Sequence, residues 1–288
     1  MTKKYIDINV HEAFRKRMDY IFKEFENVYV SFSGGKDSGL LTNLVLDYMK
    51  EKNIGKKLGV FHLDFEAQYD VTTKYVESVF EKNREFIEPY WVCLPMAART
   101  SLSSYQIYWY PWDDTKEEMW VRPMPKKPYV INLSNNPFYY YSYKMHQENL
   151  SKQFGRWYKE THGGGSTVCL LGVRAAESLQ RYNSFINKKH GYKGSCWISK
   201  MFKDVWCGYP IYDWTVNDIW AANYKFGYTY NALYDMYFRA GLKPNQMRVA
   251  SPFNDYARDS LHLYRVLEPD TWVRLLGRVQ GTNFASIY

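Results

Sequence analysis

The sequence predicts an α/β fold: a five-stranded, mostly parallel sheet with helices on both faces, an aromatic-rich insertion and a helical C-terminal part. Three observations carry this expectation. Short β-rich runs at 27–32, 57–65 and 89–94 alternate with segments whose apolar residues recur at helical spacing, the rhythm of βαβ units. Between about 97 and 145 the rhythm breaks, with Trp109, Trp112 and Trp120 scattered among prolines. It resumes in a buried-strand pattern over 167–174, and no internal repeat is visible.

Taken in order, the first run leads through Ser33-Gly34-Gly35-Lys36-Asp37-Ser38 into a helical pattern over 39–50. The second strand precedes a helix over about 69–82, and the third follows it. A helix is expected over 143–159, and Gly163, Gly164 and Gly165 read as a loose loop before the 167–174 strand pattern, which ends in Gly172 and Arg174. A last short strand is expected at 209–213. Thr215 and Asp218 then have capping-box spacing, so a helix should open there. This divides the chain into 1–214, an α/β domain carrying the insertion, and 215–288, a helical cap.

Composition bounds the function. With 288 residues and 46% of them hydrophobic, a large core can be filled, which excludes a disordered or fibrous chain. The aromatic fraction of 19% is high enough to place rings on surfaces as well as inside, and the insertion reads as a substrate pocket, a dimer face or a second small core, with an interface the preferred reading. A net charge of +8 suits an anionic ligand or nucleic acid. Much of that excess lies in 167–210, where seven Lys and Arg face two acids with Trp197, Phe202 and Trp206 interleaved; phosphate contacts and stacking would both be available to a nucleic acid. The four cysteines are too scattered for a disulfide framework or a zinc knuckle, and no stretch approaches the roughly 18 apolar residues of a membrane span. The reading is a reduced, cytoplasmic protein with no membrane partner.

The chemistry lies in the 33–38 loop. Its two glycines let backbone approach an anion without a Cβ in the way, and the helix that follows offers unpaired N–H groups and the positive end of its dipole. The order of residues is neither that of a P-loop nor that of a G-x-G-x-x-G dinucleotide fingerprint. Asp64, at the C-terminal end of the second strand, lies where open parallel sheets bind ligands, and reads equally as a cap for the next helix. Glu66 and Tyr69 read as surface residues, His62 as a packed core residue, and Cys93 and Cys169 as buried thiols.

The string 33–38, placed after a strand, resembles the PP-loop of ATP pyrophosphatases. Residues 171–178 and 209–220 are similar to the later motifs of phosphoadenosine phosphosulfate (PAPS) reductases and related adenylyltransferases, within the PAPS reductase-like group that includes the IbrA-type regulators. The resemblance spans roughly 25–255. It implies a sheet of the adenine-nucleotide α-hydrolase (HUP) type and cleavage of ATP to AMP and pyrophosphate. It also implies a nucleotide site made of Ser33, Gly34, Gly35, Lys36, Asp37, Ser38, Asp64, Gly172, Arg174 and Ser178, with Lys36, Asp37 and Arg174 catalytic. A helix N-terminus at about +0.5 and one lysine cannot neutralise a triphosphate of about −4, so Arg174 and Mg²⁺ are the expected further charges, with Asp37 on the metal side. PAPS reductases carry a nucleophilic cysteine in a C-terminal motif, and no cysteine follows Cys207 here. Three classes stay open: an adenylating ATP pyrophosphatase, a sulfonucleotide reductase or sulfotransferase, and a nucleotide-dependent regulator that binds DNA or a protein.

Overall fold

The computed structural model describes residues 6–103, 105–186 and 191–285. Along them run helices α1 (Val10–Glu24), α2 (Lys36–Glu51), α3 (Asp70–Lys82), α4 (Gln147–Thr161), α5 (Leu179–Ile186), α6 (Val216–Phe226), α7 (Leu233–Arg239), α8 (Arg258–Leu261), α9 (Tyr264–Leu267), α10 (Pro269–Arg278) and α11 (Thr282–Ala285). The strands are β1 (Asn27–Ser31), β2 (Leu58–Leu63), β3 (Ile87–Val92), β4 (Ala98–Arg99), β5 (Tyr108–Trp109), β6 (Val130–Ile131), β7 (Thr167–Leu171), β8 (Ile198–Phe202) and β9 (Val205–Gly208).

The main sheet has seven strands, in the order β6-β3-β2-β1-β7-β9-β8, not the five expected. The pairs β1–β7, β3–β6 and β7–β9 are parallel, and β8–β9 is antiparallel. The extra strands have weak local signals. β6 is two residues long and sits in the proline-rich insertion, too short to show alternation. β8 and β9 form a hairpin whose turn carries Asp204 at φ 58 with no glycine to mark it. The strand expected at 209–213 is not formed: β9 ends at Gly208, and the amides of Tyr212 and Trp214 bond back to Tyr209 and Ile211 in turns around Pro210.

Helices cover both faces, as the strand alternation requires. In β2, Phe61 stacks on Phe154 of α4 at 4.2 Å, while the next residue, His62, points the other way and meets Trp91 edge-on at 5.3 Å. Tyr90 of β3 likewise meets Phe154, and its neighbour Trp91 meets Phe80 of α3. α4 begins four residues later than expected because 143–146 forms a turn and a bridge: Lys144 is at φ 57, the Met145 N–H bonds back to Ser142 O, and His146 bridges Ala97. The capping box at Thr215 and Asp218 forms with both bonds present, and Gly227 in the left-handed region ends α6.

Two compact units divide the described chain. One holds α1 and β1, Lys36–Gly59 and Tyr158–Tyr230; the other holds Phe32–Gly35, Val60–Trp157 and the chain from Asn231 onward. This partition does not follow the 214/215 boundary, since α6 belongs to the first unit. In the first unit Gly59 admits Tyr158, whose ring would lie 2.7 Å from a Cβ there. The insertion belongs to the second unit; Trp109 and Trp112 in it are each 1% exposed, while Tyr105 and Tyr139 face outward. Among the described residues no helix is long and apolar enough to cross a membrane.

Candidate active site

The helix after the glycine loop starts at Lys36, three residues earlier than the apolar pattern alone indicates, so Lys36, Asp37 and Ser38 form its first turn. Their backbone N–H groups are therefore among those no intrahelical carbonyl can reach. Lys36 and Ser38 are both buried, at 6% exposure. Arg174, beyond β7, is buried too, and its Nε donates to Asp37 Oδ1 at 2.5 Å; Lys36 Nζ lies 3.2 Å from Asp37 Oδ2. One carboxylate thus holds two cations at the start of α2. Gly172 explains how the end of β7 comes so near: a Cβ there would lie 2.8 Å from Asp37 C and from Ser38 N. Only a residue without a side chain permits that approach.

Ser33, Gly34 and Gly35 are held in their own unit. Gly34 adopts φ +77, and a Cβ on it would meet Val76 and Thr72 of α3 at 3.0 and 3.2 Å. Its carbonyl accepts from Asn231 Nδ2 at 3.0 Å, and the same amide reaches Thr72 Oγ1 at 2.9 Å. Ser33 Oγ accepts from the Gly35 N–H at 3.3 Å. Asn231 is fully buried and was not among the residues singled out from the sequence, where nothing local distinguishes it from an ordinary cap before α7.

The remaining expected residues have other partners. Ser178 Oγ accepts from the Arg181 N–H, as a cap of α5, and Glu177 is paired with Arg174 and Arg181. Asp64 is fully buried and turned into the protein. Arg122 donates to both its oxygens at 2.6 Å, Trp91 Nε1 to Oδ2 at 2.6 Å and the Glu66 N–H to Oδ1 at 2.8 Å. These contacts fill the acceptor capacity of a carboxylate. Burial opposes its charge, yet Arg122, His62 and the Trp91 donor together hold Asp64 below the usual aspartate range. Glu66 is not on the surface. It is fully buried and accepts from Arg278, Trp112 N and Val121 N. Tyr69 is also buried, stacked on Tyr264 at 3.7 Å. His62 is a core residue bonded to Phe32 O at 2.8 Å, and Cys93 and Cys169 are buried thiols, as expected.

Residues 27–241 match the phosphoadenosine phosphosulfate reductase domain. The chain belongs to this PAPS reductase-like PP-loop family. Residues 241–288 match a domain of unknown function, DUF3440. Among curated relatives, the uncharacterized protein YbdN of Escherichia coli K12 is 34% identical over 98% of this chain and 68% of its own length. Solved structures of similar fold include FMN adenylyltransferase of Candida glabrata, at 12% identity and a TM-score of 0.45 over 78% of this chain and 57% of that one. The PAPS reductase of Candida auris, in a phosphate complex, aligns at 13% and 0.43 over 85% and 89%. The U34-tRNA thiolase NcsA of Methanococcus maripaludis aligns at 11% and 0.45 over 95% and 78%. The loop, β7, Gly172 and Arg174 all lie within the matched span. Glu66 lies in that span, whereas its partner Arg278 lies in the DUF3440 segment.

In the basic 167–210 segment, Lys200 and Lys203 are exposed. Arg174, Arg181 and Lys193 are ion-paired with Asp37, Glu177 and Glu24 respectively, while Lys188 and Lys189 lie outside the described residues.

Proposed function

We propose that the chain is an adenylating enzyme that binds ATP and cleaves it between the α- and β-phosphates. The observation that carries this reading is the 33–38 loop, a positive-φ glycine running into a helix whose first turn holds a buried lysine. Backbone N–H groups at a helix start with a desolvated ammonium beside them favour the multiply charged pyrophosphate more than they would in open water. An acceptor oxygen attacks the α-phosphorus, the bond from that phosphorus to the bridging oxygen breaks, and pyrophosphate leaves with the electron pair. Lys36 and the amides of the loop and first turn stabilise the charge that accumulates on the leaving group. Asp37 is a positioning residue, orienting Lys36 and Arg174 through its two oxygens.

Mg²⁺ accompanying ATP would be held mainly by the phosphates, and the carboxylate the loop offers to it is Asp37, which here pairs with Lys36 and Arg174. A thiolate mechanism draws no support from Cys93 or Cys169, whose thiols burial pushes well up.

The test is incubation with α-labelled and γ-labelled ATP, with and without cell extract as a source of acceptor. Labelled AMP or adenylate together with labelled pyrophosphate, abolished in Lys36→Ala, is the expected result. Release of ADP and phosphate, or intact ATP in the presence of extract, overturns the reading.

A further inference from the structure

The insertion contains a cavity of about 730 Å³, within the range that small-molecule sites occupy, and neither the 33–38 loop nor Arg174 lines it. Its wall combines an apolar part, Trp120, Met124 and the neighbouring prolines, with four cations, Arg122, Lys126, Lys127 and Arg274, against one carboxylate, Glu117. Two of those cations are already neutralised. Arg122 is held by Asp64, and Lys127 lies 2.5 Å from Glu77 and 3.4 Å from Glu81. Lys126 and Arg274 contact no carboxylate among the described residues; the only bond of Arg274 to a neighbour is a donation to Trp120 O at 3.3 Å. Arg122 itself is incompletely satisfied, since its Nε is buried without a hydrogen-bond partner.

We infer that this cavity binds a small organic anion, a carboxylate or phosphate monoester carried on an apolar body. The anionic end would meet Arg122, Lys126 and Arg274. The apolar body would lie on Trp120 and Met124, where an aromatic ring gains most. Arg122 is fixed by Asp64 and stacked over Trp112 at 5.0 Å, so its guanidinium is oriented before any ligand arrives. The inference concerns binding in the insertion and stands apart from the ATP reading.

The experiment is calorimetric titration of the full chain with 1-naphthyl phosphate, 1-naphthoate and the uncharged 1-naphthol. At least one of the two anions should bind, and which one does identifies the head group. The double variant Lys126→Ala/Arg274→Ala, two exposed residues whose loss leaves the Asp64–Arg122 pair intact, should weaken that anion at least tenfold. Lys36→Ala should leave the anion unaffected even where it abolishes ATP binding, which separates the two sites. The proposal is overturned by absence of binding of both anions, by naphthol binding as tightly as the anions, or by an affinity that responds to Lys36→Ala and not to the double variant.

Discussion

Glu66 and Arg278, 212 positions apart, form a bidentate ion pair at 2.8 and 2.9 Å with side chains 0% and 4% exposed. The same carboxylate accepts the N–H groups of Trp112 and Val121, and the same guanidinium reaches Tyr110 O at 2.6 Å. The middle of the insertion and the last long helix therefore meet on one buried pair of charges.

Arg278→Ala leaves a buried carboxylate without its counter-ion, an imbalance that costs about 3–5 kcal/mol. The urea midpoint should fall accordingly at unchanged slope. Adding Glu66→Gln to that variant should recover part of the loss, and a double variant no better than the single one would show that the pair is not what Arg278 contributes.

Gly172→Ala should disturb the start of α2. The added methyl would lie 2.8 Å from backbone atoms of Asp37 and Ser38, which cannot rotate aside, and overpacking of this kind costs about 1–3 kcal/mol. Gly55→Ala is the control, with nothing within 4 Å of its Cβ. Thermal melts of both variants, read beside ATP affinity, should show a loss confined to Gly172→Ala.

Lys36→Ala should weaken ATP by at least about tenfold, since a hydrogen bond to a charged group is worth about 1.5–3 kcal/mol. Melting should remain cooperative, and titration calorimetry on the folded variant gives the comparison. Unchanged affinity would remove the loop lysine from the nucleotide site.

Acid should destabilise the fold in two stages. Burial lowers the pKa of His62, so the unfolded chain takes up its proton first, and stability falls as pH drops below the ordinary histidine value of 6.5. Asp64 is also depressed, despite its burial, by Arg122. Its contribution is therefore fully present above the ordinary aspartate value of 3.8 and is lost as pH falls through the lower folded value. In a urea-midpoint profile, His62→Gln should flatten the slope between about pH 7 and 5 and leave the lower stage in place.

What the residues themselves reveal follows the range of the interaction concerned. α3 was expected over 69–82 and spans Asp70–Lys82, because its buried face, Thr72, Tyr75, Val76, Val79 and Phe80, is written in the local spacing. The glycine loop and the Thr215 cap were legible for the same reason. The role of Asp64 was not: it depends on Arg122, 58 positions away, and a carboxylate at a strand end looks the same whether it faces a ligand or an arginine. Glu66 and Tyr69 were misjudged because their partners, Arg278 and Tyr264, lie near the other end of the chain. In the insertion, aromatic residues without periodicity could not be assigned to surface or core before Glu66 and Asp64 were seen to receive the Trp112 N–H groups.

Asn231 lends the 33–38 loop a property of a different kind. Its amide holds the Gly34 carbonyl while Leu233 N–H fixes the other end of the same side chain, so the peptide after Gly34 cannot readily rotate. The entropy of ordering that peptide is lost once, as the chain folds, and not again at each encounter with an anion. Loosening this single side chain, as in Asn231→Ala, would move that loss to the binding step, and the slow variable would become the shape of the loop instead of the arrival of the ligand.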